Sequence, residues 1–91
     1  MFLRCTRSTF DPAKADEVVA LGGDLKAIYG KLPGIQHSHS ALDRAAGKAI
    51  TILLFDTREH AQFGREALGD IVARLQAAGV KIEAPEIYET V

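Results

Sequence analysis

The stretch Ala49-Ile-Thr-Ile-Leu-Leu-Phe55, followed by Asp56-Thr-Arg-Glu59 and an amphipathic run to Ala78, decides the fold of this chain. It predicts a strand, a helix start and a helix in direct succession. The strand spans Lys48 to Phe55 and is apolar on both faces, which is typical of a central strand. An aspartate with a glutamate three residues later matches an N-terminal capping signature. Gly79 predicts the left-handed end of this second helix.

An earlier and shorter copy of the same plan precedes this stretch. Phe2 to Ser8 alternates as a first strand, and Asp11-Pro12 is typical of a cap followed by the first helical residue. Apolar residues then recur at three- and four-residue steps from Ala13 to Leu32, which predicts an amphipathic helix. The pair Gly22-Gly23 weakens this helix, and we expect it to continue through both glycines.

The remaining segments predict strands. Ile35 to Leu42 is the second strand, and Asp43 to Gly47 is a turn before the third. After the second helix, Val80 to Ala84 and Glu86 to Val91 are extended, and Pro85 separates them because proline cannot donate to a sheet ladder. The chain therefore predicts a single α+β domain over residues 1–91 with the order β-α-β-β-α-β.

Composition limits the classes of partner and location. Of the 91 residues, 47% are hydrophobic, which is more than a lone small domain hides easily and favours a homodimer. A net charge of −1 argues against nucleic acid as a partner. No run approaches the roughly 20 apolar residues of a membrane span. Cys5 has no cysteine to pair with, so we expect it to be a buried core residue in a cytoplasmic protein.

Three segments carry a resemblance to a known family. They are Pro33-Gly34-Ile35, the stretch Leu53-Leu-Phe-Asp-Thr-Arg-Glu-His-Ala61, and Pro85-Glu-Ile-Tyr-Glu89. Together with the β-α-β-β-α-β order, they resemble the dimeric α+β barrel superfamily, in particular the antibiotic biosynthesis monooxygenase-like domains. The resemblance implies a ferredoxin-like protomer whose antiparallel sheet has two helices on one face. It also implies that two protomers join their sheets into a barrel.

The same resemblance implies a pocket between sheet and helices, and an activity near that of cofactor-independent oxygenases acting on aromatic or quinone-like compounds. No cofactor is then expected. Three departures keep the family's catalytic residues from carrying over. Phe55 stands where the family usually has Trp, and the chain contains no Asn and no Trp. His60 lies too early in its helix to match the axial histidine of the haem-degrading members.

His37 and His39 are the candidate catalytic residues. They are two apart on a strand, so both rings face the same side, and an imidazole titrates near neutral pH and can move a proton. Two alternatives stay open. The pair can be solvated polar residues, or two ligands of a metal whose third ligand would come from His60, Asp43 or Glu59. We predict no metal.

Arg4, Thr51, Phe55 and Tyr29 are the candidate substrate-binding residues. Arg4 suits a carboxylate or phenolate because its guanidinium forms paired hydrogen bonds, although a surface ion pair is an alternative role. Thr51 and Phe55 share one strand face, where Phe55 is either a ligand wall or plain core. Tyr29 offers a hydroxyl. Two functions follow: a small-molecule pocket enzyme, or a non-catalytic binding or structural homodimer whose own side chains fill the pocket.

Overall fold

An antiparallel sheet of five strands carries all of the helices on one of its faces. The computed structural model describes residues 1–91. The strands are β1 Phe2–Thr9, β2 Ile35–Asp43, β3 Lys48–Phe55, β4 Lys81–Ile82 and β5 Glu86–Glu89. The helices are α1 Ala15–Tyr29, α2 Arg58–Ala61 and α3 Ile71–Ala77, with 3-10 turns at Pro12–Lys14 and Arg65–Leu68.

The strand order confirms the predicted ferredoxin-like α+β architecture. The sheet runs β2-β3-β1-β4, and β5 pairs with β1 further along the same edge. All of the pairings are antiparallel. The last strand is interrupted around Pro85 as predicted, so β4 and β5 share one neighbour. This places β1 in the middle of the sheet, with β3 on one side and β4 and β5 on the other.

The first helix begins and continues as the sequence predicts. The Asp11 carboxylate accepts a hydrogen bond from the backbone N–H of Ala13 at 2.9 Å, and Pro12 opens the 3-10 turn that leads into α1. The helix runs without a break through Gly22 and Gly23. It ends at Tyr29, three residues before the predicted end.

The predicted second helix is wrong in its continuity, since the structure divides it into α2, a 3-10 turn and α3. Arg4 on β1 explains the first break. Its guanidinium Nη1 donates to the backbone carbonyls of Ala61 at 2.8 Å and Phe63 at 3.2 Å. A continuous α-helix would use those two carbonyls for its own bonds to residues four positions later. Gly69, at φ 64°, then turns the chain before α3 begins.

The cap of α2 also differs from the prediction by one residue. The Thr57 hydroxyl, and not Asp56, accepts the backbone N–H of His60 at 3.2 Å. Asp56 is held in place because its own N–H donates to the Gly34 carbonyl at 3.0 Å. Its carboxylate instead accepts from His60 Nδ1 at 2.6 Å, and this hydrogen bond lowers the pKa of the Asp56 carboxyl.

The predicted left-handed residue after the last helix is confirmed. Gly79 has φ 86°, a conformation that costs glycine little. Its N–H donates to the Gln76 carbonyl at 3.0 Å, and the N–H of Val80 reaches back to Leu75 at 3.0 Å. These two bonds form a Schellman motif that satisfies the carbonyls at the helix end.

The core lies between the helices and one face of the sheet, in two clusters. One joins α1 to α3, and the other joins the end of α1 to β3 and α2. Phe55 and Ile71 are fully buried, one in each cluster. Cys5 is buried as predicted. None of the helices has both the length and the apolar character needed to cross a bilayer.

The other face of the sheet, which we call the open face, has no helix over it. Residues paired across the ladder share a face, and neighbours along a strand alternate. The register pairs Cys5 with Ile52 and Leu3 with Leu54, so these side chains lie together on the open face. The centre of this face is therefore apolar.

Candidate functional site

A cavity of about 670 Å³ opens between the helices and the covered face of the sheet. That volume lies within the range of about 300–1,000 Å³ that is typical of small-molecule sites. Most of the lining is apolar, with contributions from α1, β3 and α3 and from the segment between α2 and α3, including Val18, Leu25, Leu53, Phe63, Leu68 and Val72. The cavity lies between the two core clusters, and Leu25 and Leu68 pack against both. It can accept an apolar molecule of moderate size.

Four of the polar side chains that line the same cavity come from four different elements. They are Arg4 on β1, Tyr29 at the end of α1, and Ser40 and Thr51 on β2 and β3. The sheet register explains the meeting of the last two, because Ser40 stands opposite Thr51 across the ladder. Their hydroxyl oxygens are 3.1 Å apart, within hydrogen-bond distance. These four residues form one polar patch, and the other polar side chains of the lining are Thr6, Ser8, Lys26, Arg65 and Glu83.

Arg4 is held rigidly at this patch. Its Nη1 binds the two backbone carbonyls between α2 and the following turn, and its guanidinium lies over the Phe63 ring at 3.9 Å from the centroid. Burial lowers the pKa of the Arg4 guanidinium, and the nearby Tyr29 opposes that shift. Arginine nevertheless stays charged at neutral pH. The patch therefore contains a fixed positive charge that is half-buried.

Tyr29 supplies a hydroxyl that stays protonated. Its side chain is almost fully buried, and this burial raises the pKa of Tyr29 to about 12, against the opposing effects of Arg4 and the Thr51 hydroxyl. At neutral pH the phenol is thus a hydrogen-bond donor and not a base. A cation beside a neutral donor can stabilise negative charge on an oxygen atom of a bound molecule.

Solved structures with the same fold include a cofactor-independent oxygenase and an antibiotic biosynthesis monooxygenase. SnoaB, a cofactor-independent oxygenase from Streptomyces nogalater, superimposes with a TM-score of 0.73 and 14% identity, over 99% of this chain and 92% of that one. An antibiotic biosynthesis monooxygenase superimposes with a TM-score of 0.74 and 16% identity, over 100% and 99% of the two chains. HapK from Hahella chejuensis superimposes with a TM-score of 0.78 and 14% identity, over 100% of this chain and 93% of that one.

The chain has the antibiotic biosynthesis monooxygenase-like fold. The sequence itself matches no protein-family model and no curated protein. The resemblance based on Pro33-Gly34-Ile35, Leu53 to Ala61 and Pro85 to Glu89 is thus confirmed at the level of fold. At these identities the likeness extends to the path of the chain alone, and the chemistry depends on this chain's own residues.

The structure brings together three of the six predicted site residues. Arg4, Tyr29 and Thr51 line the cavity of this fold. Phe55 does not reach it, because its side chain has no exposed surface. It packs beneath the cavity against Phe63, with ring centroids 5.8 Å apart. Of the two roles open to Phe55, the structure shows the core residue.

His37 and His39 lie outside the cavity, which corrects the expectation that they share a pocket with Arg4. They stand opposite Leu54 and Ile52 across the ladder. Thr51, which faces the cavity, is the immediate neighbour of Ile52, so Ile52 and both histidines point to the open face. The two rings do face the same side as predicted, and their Nε2 atoms are 2.6 Å apart.

Two residues of the site were missed by the sequence reading. Phe63 was expected inside a continuous helix, yet it falls outside the apolar stripe that includes Ala61 and Leu68. A large aromatic residue off such a stripe, next to Gly64, is the signal that could have indicated a break. Ser40 lies on the strand face opposite the histidines, and nothing in the sequence shows that Thr51 stands across from it.

Proposed function

We propose that this protein binds a flat aromatic compound with a phenol or quinone oxygen and oxidises it with molecular oxygen, without a cofactor. The observation that carries this proposal is the polar patch of Arg4, Tyr29 and Thr51 in a mostly apolar cavity of about 670 Å³. The apolar walls suit fused aromatic rings. The charged Arg4 and the hydrogen-bond donor Tyr29 suit one oxygen atom of the ligand. A cavity volume of about 670 Å³ accommodates two or three fused rings.

The chemistry follows from the electrostatics of the patch. A cation beside a bound phenol lowers the pKa of that phenol and favours its anion, and Arg4 supplies the cation. Tyr29 remains neutral and donates to the same oxygen. An aromatic anion is electron-rich enough to reduce oxygen directly: a ring CH₂ group and O₂ give a ring carbonyl and water. The protein then has to bind, orient and stabilise the anion.

The fold supports an oxygenase function but does not indicate which residues carry it out. SnoaB, which shares the fold, is a cofactor-independent oxygenase. This chain has no Asn and no Trp, so Arg4 and Tyr29 are proposed in the charge-stabilising role. The histidines take no part in the cavity chemistry, because they lie on the other face of the sheet.

A non-catalytic binding protein is the second candidate, and one observation favours it. Nη1 of Arg4 already donates to two backbone carbonyls, and that arrangement stabilises the junction between α2 and the next turn whether or not a ligand is bound. Nη2 and Nε make no hydrogen bond within the chain and remain for a ligand. Binding without oxidation would therefore use the same cavity and the same residues.

Ligand binding and oxygen consumption separate the two candidates. We expect anthrone and 1,4-naphthohydroquinone to raise the melting temperature, since a ligand that binds only the folded state adds about 2.7 kcal/mol at a hundred times its dissociation constant. Arg4→Met should abolish the shift. Arg44→Met is the matched control, because Arg44 forms an exposed ion pair with Asp16 away from the cavity.

Each outcome of this screen has one meaning. Binding of anthrone with its oxidation to anthraquinone above the uncatalysed rate, at one O₂ consumed per anthrone, supports the oxygenase. Binding without uptake contradicts the oxygenase and supports the non-catalytic protein. An unchanged melting temperature with the whole panel, or an equal loss of the shift in Arg44→Met, contradicts the cavity as the binding site.

We also propose that a second copy of the chain covers the open face. Its centre contains Leu3, Cys5, Ile52 and Leu54, and an isologous contact would bury this apolar surface on both copies. We expect light scattering at micromolar concentration to give twice the protomer mass of 9.8 kDa. Ile52→Lys should produce the single protomer, and Ala73→Lys, on the exposed side of α3, should not. A wild-type mass near 9.8 kDa would contradict the dimer.

We propose the cytoplasm as the location of the protein. Cys5 is a free and buried thiol, and a chain without disulfides needs no oxidising compartment. A reducing environment would keep this thiol from intermolecular pairing.

A further inference from the structure

Two imidazole rings are in direct contact on the open face of the sheet, where the cavity chemistry does not use them. Nε2 of His37 is 2.6 Å from Nε2 of His39, and the ring centroids are 4.4 Å apart with planes inclined at 71°. Both residues are exposed. A hydrogen bond between exposed groups replaces one to water and adds little net stability. A gain in folding stability therefore does not by itself explain why the two rings are in contact.

We propose that His37 and His39 together bind one divalent transition-metal ion, with Cu²⁺ preferred over Zn²⁺. Imidazole nitrogen is a good ligand for both ions. Two nitrogens bound at about 2.0–2.1 Å lie about 2.9 Å apart at a right angle and about 3.3 Å apart in a tetrahedron. The separation of 2.6 Å belongs to the metal-free pair and is shorter than both, so the rings move apart slightly to bind either ion. The preference for Cu²⁺ follows from the affinity order of divalent metals, in which Cu²⁺ stands first.

The position of the pair on the sheet suits an ion. β2 is the outermost strand on its side of the sheet, so the pair lies at the rim of the open face. The partners across the ladder are Leu54 and Ile52, which neither compete for the ion nor add ligands. No group of three or more histidine, cysteine or carboxylate side chains gathers in the chain. The other coordination positions therefore go to water or to a small ligand.

Calorimetry of the full chain without an affinity tag tests this site. We expect one Cu²⁺ bound per chain, at least tenfold more tightly than Zn²⁺, and an electron paramagnetic resonance spectrum with coupling to two imidazole nitrogens. His37→Ala and His39→Ala should each weaken Cu²⁺ binding at least tenfold. His60→Ala is the matched control, since His60 is the remaining histidine and pairs with Asp56.

Several results would overturn the site. Unchanged Cu²⁺ affinity in either His37→Ala or His39→Ala would show that the pair does not act as a unit, and an equal loss in His60→Ala would show non-specific binding. A spectrum with a single coupled nitrogen would exclude two histidine ligands. Because both side chains are exposed, we expect the variants to fold, and circular dichroism of each one verifies this before titration.

Discussion

Phe55→Ala is expected to lower the free energy of unfolding by about 3–5 kcal/mol, the usual cost of truncating a buried phenylalanine. Phe55 has no exposed surface and packs with Tyr29, Leu32, Leu53 and Ala61 in one core cluster. A domain of this length has a total stability of about 5–14 kcal/mol. The substitution therefore removes a large share of it, because the fixed sheet and helix around the ring cannot collapse into the space.

Urea denaturation of wild-type and variant protein measures this cost. Phe2→Ala is the matched control: Phe2 stands opposite Phe55 in the ladder but is partly exposed and contacts Arg58 through its ring face, so its truncation should cost less than half as much. Phe55→Leu should lower the free energy of unfolding by an amount between those of Phe55→Ala and Phe2→Ala. A loss below about 1 kcal/mol for Phe55→Ala, combined with lost ligand binding, would show that Phe55 is a cavity wall and contradict its place in the core.

The fold could be predicted because its signals are local. Asp11-Pro12, Gly79 and Pro85 each act through their own backbone, and the structure has a helix start, a helix end and a strand break at these three positions. The strand Lys48–Phe55 was predicted to the residue because its apolar β-branched run is bounded on both sides. The prediction of one continuous second helix was wrong because of a contact between residues far apart in the sequence. Arg4 lies 57 positions before Ala61 and donates a hydrogen bond to the Ala61 carbonyl. A continuous helix would have used that carbonyl for its own hydrogen bond.

The candidate site was harder to predict because it depends on which way a strand faces. Ile35 packs towards the helices, and regular alternation from Ile35 would place His37 and His39 on the same side, in the cavity. The structure has a β-bulge between Ile35 and His37. An extra residue in one strand reverses the direction of all side chains beyond it. Nothing in Ile35-Gln-His37 indicates this bulge, so the sequence alone does not show which face of the sheet the histidines occupy.

The residues on β1 and β3 were easier to place, since those strands pair without interruption. Arg4 pairs with Leu53 and Thr6 with Thr51, so the alternation read from the sequence holds along the whole ladder. Only the partners from other elements, Phe63 and Ser40, required the tertiary structure. The histidine pair and the cavity are therefore two separate sites on opposite faces of one sheet, and each needs its own test.

Tyr29→Phe is expected to reduce oxidation of a bound aromatic substrate by a factor of about 100–1,000, the usual effect of removing one hydrogen-bond donor to a developing oxyanion. The phenylalanine keeps the shape of the ring in the wall of the cavity and removes only the hydroxyl. Ligand affinity should therefore change much less than the rate. Tyr88→Phe is the matched control, because Tyr88 is exposed and bonded to Glu86, outside the cavity.

The alkaline stability of the same variant tests the burial of Tyr29 independently of any substrate. A tyrosine in the unfolded chain ionises near pH 10, whereas folded Tyr29 keeps its proton to about pH 12. Its contribution to stability is thus full below pH 10, and it is lost as the pH rises from 10 to 12, by about 1.4 kcal/mol per unit. Tyr29→Phe should lose less stability than wild type over this window.

The two measurements together decide the role of the hydroxyl. A reduced rate with the altered alkaline profile supports a buried donor at the polar patch. An unchanged rate with the altered profile leaves Tyr29 buried but removes it from the chemistry, so Arg4 alone would stabilise the anion. An unchanged alkaline profile would contradict the burial of the phenol and, with it, the neutral donor on which the proposed oxidation depends.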